Sequence, residues 1–162
     1  MAVVNIERRA DGIGRVAINR PDKRNALNDD VRNTLIAELP GLFGDDAVHA
    51  VLLTGEGGHF CAGGDIASMA KLQEDNDVSI VETRMNIAGQ VIQQIRRMPQ
   101  PVLAAINGAA AGGGMNLALA CDLRIASDRA VFAESFVKIG LVPDWAGSSF
   151  SPNWSALRRR WS

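Results

Sequence analysis

Two glycine-rich stretches constrain the fold of this chain more than any other part of its sequence. The first glycine loop, residues 60–66, is Phe-Cys-Ala-Gly-Gly-Asp-Ile, and the second, residues 107–116, is Asn-Gly-Ala-Ala-Ala-Gly-Gly-Gly-Met-Asn. Each follows an apolar run typical of a buried strand, residues 50–54 and 102–106, and precedes a segment with helical character. Glycine lets the backbone approach a ligand closely, and the first turn of a helix has N–H donors without partners inside the helix. Two such donors that converge on one carbonyl oxygen would form an oxyanion hole.

The composition is that of one globular domain. Of the 162 residues, 47% are hydrophobic and 22% are charged, which suffices for a single core. The formal net charge of -1 provides no basic field that would attract nucleic acid or anionic lipid. We therefore expect a core over residues 1–147, an irregular tail over residues 148–162, and neither nucleic acid nor a membrane as a partner.

The N-terminus and the cysteines also exclude several classes. The first residues, Met-Ala-Val-Val-Asn-Ile-Glu-Arg-Arg, lack the apolar core of a signal peptide, and no apolar run approaches the roughly 20 residues of a membrane span. We therefore expect a cytoplasmic protein. Cys61 and Cys121 have neither CxxC spacing nor clustered histidines, so a disulfide and a metal site are both disfavoured.

The first half of the chain predicts a hairpin followed by a helix. Residues 3–8 and 15–19 are rich in β-branched side chains and flank a turn. Asn28 is a suitable N-cap for a helix over residues 29–42, since two aspartates follow it. The polar stretch at residues 73–77 is expected to be mobile.

The second half predicts a long helix and further buried strands. Residues 78–98 have apolar side chains spaced by three and four, which indicates an amphipathic helix. A short apolar helix over residues 117–120 and strands over residues 123–126 and 131–133 follow the second glycine loop. Strands that alternate with helices in this way predict an α/β domain.

Five ordered motifs together resemble the enoyl-CoA hydratase/isomerase family, also called the crotonase family. The resemblance covers nearly the whole chain and implies a spiral of repeated ββα turns, a fold in which acyl-CoA thioesters bind and a thioester enolate is stabilised. The motifs are Asn-Arg-Pro-Asp-Lys-Arg-Asn-Ala-Leu-Asn at residues 19–28, the two glycine loops, Cys121-Asp122, and Gly-Leu-Val-Pro-Asp at residues 140–144.

The resemblance also implies the positions of the site residues. The two oxyanion donors match the N–H groups of Gly64 and Gly113. No resident cofactor is implied, because coenzyme A enters as part of the substrate. The residues that match the family's substrate-binding positions are Arg24, Ala26, Ala62, Gly64, Asp65, Ile66, Ala67, Gly113 and Phe136.

The chain departs from the family's hydratases at both catalytic glutamates. Those positions match Asn116 and Phe136, neither of which can carry a proton. Glu134 is close in sequence but is displaced by two residues. Asp144 matches the position of the catalytic aspartate of certain isomerases and of a dehalogenase. Because an isomerase needs only one group that removes and returns a proton, the sequence favours isomerisation with Asp144 as the catalytic residue.

Two alternatives to the isomerase stay open on the sequence alone. A hydratase with relocated acids would also fit the motifs, and so would an inactive, shortened family member that only folds or oligomerises. The resemblance implies a homo-oligomer, a trimer or hexamer in the family, with a C-terminal helical region that covers the acyl pocket. The present tail lacks an apolar period, which suggests truncation, for example by a frameshift near Pro152.

Overall fold

A five-stranded sheet forms the centre of the molecule, for which the computed structural model describes residues 1–75 and 78–150. Its strand order is β1-β2-β3-β4-β6, with β1 antiparallel to β2 and all other pairs parallel. A separate parallel pair, β5-β7, lies beside the second glycine loop. The strands are β1 (Val4–Arg8), β2 (Ile13–Ile18), β3 (Ala50–Gly55), β4 (Val102–Ile106), β5 (Ala109–Ala111), β6 (Leu123–Ala126) and β7 (Val131–Ala133).

Between these strands, the described residues form the helices α1 to α5. The Asn28 side chain caps α1 by accepting from the Val31 N–H at 3.1 Å, as the sequence predicts. A continuous apolar core between sheet and helices includes Val16, Leu35 and Ile95. The helices are α1 (Asp29–Glu38), α2 (Pro40–Phe43), α3 (Ile66–Asp75), α4 (Val78–Arg97) and α5 (Gly113–Ala120).

The structure confirms the predicted α/β class, the hairpin and the long helix, but it corrects several segments. The helix expected over residues 29–42 is divided, because Pro40 starts α2 in the first-turn position that its ring allows. Residues 73–75 of the stretch expected to be mobile end α3, while residues 76 and 77 lie outside the described residues.

Two further corrections concern the second glycine loop and the tail. Helix α5 begins at Gly113, four residues before the predicted start. Residues 147–150 are helical, so the prediction of an irregular tail is wrong for residues 148–150; residues 151–162, including Pro152, lie outside the described residues. Within residues 1–75 and 78–150, no helix has both the length and the apolar character of a membrane span.

Candidate active site

Hydrogen bonds join the two glycine loops side by side. The N–H groups of Phe60 and Cys61 both donate to the Ala109 carbonyl, at 3.1 and 3.0 Å. The Ala111 N–H donates back to the Cys61 carbonyl at 2.9 Å. The loops follow β3 and β4, two neighbouring parallel strands, so both loops lie at the same edge of the sheet.

Glycine is required where the loops approach most closely. Gly63 has a φ of +89°, and a Cβ there would lie 2.6 Å from the Ala111 oxygen. The same Cβ position is 3.4 Å from the Gly113 nitrogen. Gly64, which follows directly, is thereby held close to the start of α5.

The amides of Gly64 and Gly113 have no protein partner. Within residues 1–75 and 78–150, neither N–H donates to a backbone or side-chain acceptor. Gly113 is the first residue of α5, so its N–H is one of the donors that a helix cannot satisfy internally. Each glycine loop thus has one unpaired backbone donor among the described residues.

The Asp65 side chain anchors the first glycine loop. Its Oδ1 accepts from the Ser68 N–H at 3.1 Å and so caps α3, and its Oδ2 lies 2.9 Å from Nη1 of Arg20. Burial opposes ionisation, but the Ser68 N–H and Arg20 outweigh it and hold the pKa of Asp65 below its ordinary value. The Asp65 side chain is thus a helix cap. Its backbone directly follows that of Gly64, so the cap also fixes the position of this glycine.

Five further predicted binding residues lie in the first glycine loop, directly after it, or in the residue 24–26 loop. Arg24 is exposed, has a φ of 49°, and accepts a hydrogen bond from the Ala62 N–H at 3.0 Å, which ties the residue 24–26 loop to the first glycine loop. Ala26 is buried and Ala67 is exposed. Ile66, two residues after Gly64, is 82% exposed.

Asp144 lies beside the second loop. Its Oδ1 is 3.5 Å from the position that a Cβ on Gly113 would take, and it is shielded from solvent without a hydrogen-bond partner. Asn116, from α5, donates to the Asp144 backbone oxygen at 2.8 Å. Burial raises the pKa of Asp144, and the nearby charge of Arg32 opposes this shift. A carboxyl with a raised pKa beside unpaired N–H groups is suited to proton transfer.

The two hydratase glutamate positions have other roles here. Asn116 is fully buried and positions Asp144 through the bond just described. The Phe136 ring packs 3.5 Å from the Cβ position of Gly112 and so covers the loop. Neither residue supplies a proton.

Glu134, two residues before the position of the hydratase glutamate, lies close enough to Asp144 for their charges to interact. Both of its carboxyl oxygens are shielded from solvent, and within the described part of the chain neither accepts a hydrogen bond. Burial raises the pKa of Glu134, and the charge of Asp144 raises it further. The two carboxyl groups therefore interact electrostatically.

Sequence analysis missed two residues at this site. Arg32 is buried, bonds Asp29 at 3.0 Å, and supplies the positive charge near Asp144. Burial lowers the pKa of Arg32, an effect that Asp29 opposes. Trp145 is also buried, with its Cδ1 2.9 Å from the Cβ position of Gly113. Arg32 could have been identified from the sequence as an arginine on the otherwise apolar face of α1. The sequence around Trp145 has no comparable feature that would indicate a site residue.

The cysteines are not part of this chemistry. Cys61 and Cys121 are both buried and free, and burial raises the pKa of each thiol to about 12. Among residues 1–75 and 78–150, no three His, Cys, Asp or Glu side chains are grouped so that they could hold a metal ion.

Comparison with known proteins places this site in a family. Residues 8–155 match the profile described as Enoyl-CoA hydratase/isomerase. The chain is 36% identical over 149 residues to 4-chlorobenzoyl coenzyme A dehalogenase-1 of Arthrobacter sp, covering 92% of this chain and 54% of that protein. It is 33% identical over 141 residues to 1,2-epoxyphenylacetyl-CoA isomerase of Escherichia coli (strain K12), covering 87% and 54%.

A solved structure confirms the crotonase-type fold. The chain matches an enoyl-CoA hydratase from Polaromonas sp. JS666 with a TM-score of 0.83 and 34% identity, covering 90% of this chain and 56% of that one. The chain spans about half the length of the curated relatives it matches. Since a dehalogenase, an isomerase and a hydratase all share this similarity, the reaction must be argued from the site itself.

Proposed function

Because the chain belongs to the enoyl-CoA hydratase/isomerase family, we propose that it binds acyl-CoA thioesters and isomerises a 3-enoyl-CoA to the 2-enoyl-CoA. The observation that carries this proposal is the carboxyl of Asp144 beside Gly113, at a site whose hydratase positions hold Asn116 and Phe136. A single carboxylate can remove a proton from one carbon and return it to another.

The reaction begins when the thioester carbonyl accepts hydrogen bonds from the Gly64 and Gly113 N–H groups. Asp144 then removes the proton on the carbon next to the thioester, and the C–H electrons move onto the carbonyl oxygen. The two fixed N–H dipoles stabilise that charge without reorganising. Only a proton changes place, so the reaction needs no resident cofactor, and coenzyme A enters as part of the substrate.

The coenzyme A moiety is proposed to lie along the first glycine loop. The exposed Arg24 supplies a positive charge for phosphate groups, and Ile66 supplies apolar surface next to Gly64. The backbone of residues 62–67 and the residue 24–26 loop form the rest of this surface.

Homo-oligomerisation is also part of the proposal, and the exposed apolar side chains of β6 and β7 support it. We expect light scattering to give a mass above that of one chain.

The test is the replacement Asp144→Asn, which keeps the size of the side chain and removes its proton chemistry. We expect turnover of a 3-enoyl-CoA to fall about 10²- to 10⁴-fold while acyl-CoA binding, followed by calorimetric titration, is kept. Asp30→Asn, at an exposed position on α1, is the matched control. A folded Asp144→Asn protein with full activity would contradict the proposal.

One observation favours a hydratase as the second candidate. Hydration requires two acid–base groups, and the shielded carboxyl of Glu134 provides a second one near Asp144. Turnover of crotonyl-CoA at a rate above that of a 3-enoyl-CoA would favour this reaction. A protein that binds acyl-CoA but turns over neither substrate would instead be the non-enzymatic form.

A further inference from the structure

Two arginines meet at one aspartate beside the first glycine loop. Nη1 of Arg32 lies 3.0 Å from Oδ1 of Asp29, and Nη2 of Arg84 lies 2.6 Å from Oδ2 of the same aspartate. Asp29 and Arg32 belong to the start of α1, whereas Arg84 belongs to α4. The arginine pair, Arg32 and Arg84, is therefore held between two helices by a single carboxylate.

The start of α1 is bonded to the backbone on both sides of Gly64. The Leu27 N–H donates to the Gly63 oxygen at 2.7 Å, and the Leu27 oxygen accepts from the Asp65 N–H at 3.3 Å. Since Asp29 follows Leu27 by only two residues, its ion pairs form close to the donor that Gly64 contributes to the proposed oxyanion hole.

Helix α3 connects Arg84 to the same glycine. Nη1 of Arg84 donates to the Ser68 oxygen at 3.4 Å. The next residue, Met69, has its sulfur atom 3.1 Å from the position that a Cβ on Gly64 would take. A continuous series of contacts thus leads from Gly64 over the Met69 thioether to the arginine pair.

The arginine pair has less negative charge around it than positive charge within it. Among residues 1–75 and 78–150, Asp29 is the only carboxylate that forms an ion pair with either arginine, and the Nε atom of each is shielded from solvent without an acceptor. The charge of Asp144 also acts on Arg32, but in the proposed reaction Asp144 takes up a proton and loses that charge. Because largely buried guanidinium groups need compensating charge, this cluster favours a second anion.

We propose that the arginine pair binds a carboxylate at the far end of the substrate's acyl chain, so that the site prefers thioesters of dicarboxylic acids to those of simple fatty acids. This inference rests on the acyl-CoA binding proposed above, in which the thioester carbonyl lies at the Gly64 and Gly113 N–H groups. The acyl chain then passes Met69, and its terminal carboxylate meets Arg84. Guanidinium groups suit this role, since their planar N–H groups match the geometry of a carboxylate.

Calorimetric titration of the full chain with matched thioesters tests this inference. Glutaryl- and adipoyl-CoA end in a carboxylate, while pentanoyl- and hexanoyl-CoA have the same numbers of acyl carbons and end in a methyl group. All four are saturated, so binding is measured without isomerisation. We expect at least one dicarboxylic thioester to bind about 10- to 100-fold more tightly than its counterpart. An apolar acyl pocket would give the opposite sign, because burial of an unpaired carboxylate costs free energy.

The replacement Arg84→Gln assigns the difference to the arginine pair. It removes one positive charge and keeps a polar side chain, so we expect the affinity for the preferred dicarboxylic thioester to fall about tenfold or more. The affinity for hexanoyl-CoA should stay unchanged, which also shows that the variant is folded. Arg97→Gln, at an exposed position on α4, is the matched control and should leave all four affinities unchanged. Equal losses for both kinds of thioester in Arg84→Gln would overturn the assignment, because an arginine that only ties α4 to α1 would affect both.

The outcomes separate this inference from the proposed function. If pentanoyl- and hexanoyl-CoA bind as tightly as glutaryl- and adipoyl-CoA, or more tightly, the carboxylate subsite is overturned and the proposed acyl-CoA site stands. If none of the four thioesters binds, the proposed function and the subsite are overturned together.

Discussion

The two glycine loops have similar sequences but occupy different environments. In the first loop, Gly64 is half-buried and is followed by the exposed Ile66. Among residues 1–75 and 78–150, a Cβ added at Gly64 would have one neighbour within 4 Å, the flexible Met69 thioether at 3.1 Å. In the second, Gly113 is buried, and a Cβ added there would meet the Trp145 ring at 2.9 Å. Composition alone therefore does not decide what a glycine loop does.

The carboxyl groups beside the loops differ in the same way. Asp65, in the first loop, is fully partnered as a helix cap and ion pair, and its pKa is lowered. Asp144, beside the second, is shielded without a side-chain partner, and its pKa is raised. This contrast supports the proposal that the first loop has an anchoring role and the second carries the proton chemistry.

The largest expected effect separates the two glycines. Gly113→Ala places a Cβ against Trp145, which must move and shift the donor, so we expect kcat to fall about 10²- to 10³-fold, as for loss of one oxyanion donor. Gly64→Ala keeps its N–H and meets only Met69, so kcat should change less than about tenfold. Steady-state kinetics on a 3-enoyl-CoA measures both, and equal losses in the two variants would remove the distinction between the loops.

Local sequence patterns were sufficient for much of the fold. The hairpin, α4 and the apolar strands before each glycine loop follow from side-chain periodicity and turn residues that act over a few positions. The start of α5 was missed because Gly112 to Gly114 have a poor intrinsic helix propensity, which close packing of Gly114 against Cys61 overrides. Two apolar side chains of α4, Val81 and Met85, are exposed, because the part of this helix that is buried in the core begins only at Ala88.

The candidate site was predicted in its backbone and incompletely in its side chains. Gly64, Gly113 and Asp144 were identified because motifs mark their positions. The charge of Arg32 lowers the pKa of Asp144 across more than a hundred residues of chain, and the charge of Asp144 raises the pKa of Glu134 across ten. Both effects depend on burial, which side-chain periodicity does not report. Electrostatic partners of this kind become visible only when the fold places them together.

A smaller effect concerns the anchoring of the first loop. Asp65→Ala removes the cap of α3 and the partner of Arg20, so we expect the free energy of unfolding to fall by about 1 to 2 kcal/mol. Asn28→Ala is the matched control, because it also removes a helix cap, that of α1, but breaks no ion pair with an arginine. We expect it to lower the free energy of unfolding by about 1 kcal/mol. Urea unfolding measures both, and acyl-CoA affinity should fall only for Asp65→Ala, because that cap fixes Gly64. Equal affinity in the two variants would contradict an anchoring role.

The smallest effect is a pH dependence of opposite sign for the two aspartates. Asp65 has a lowered pKa, so its contribution to stability is present at neutral pH and is lost as pH falls through that lowered value. Asp144 has a raised pKa, so its contribution is full at acidic pH, below its ordinary pKa, and is lost as pH rises through the raised value. At neutral pH, Asp65→Asn should therefore destabilise the protein and Asp144→Asn should stabilise it, and both differences should shrink in acid. Urea unfolding of the two variants across this pH range gives the signs, and a shared sign would mean that the two loops do not place their carboxyl groups in opposite environments.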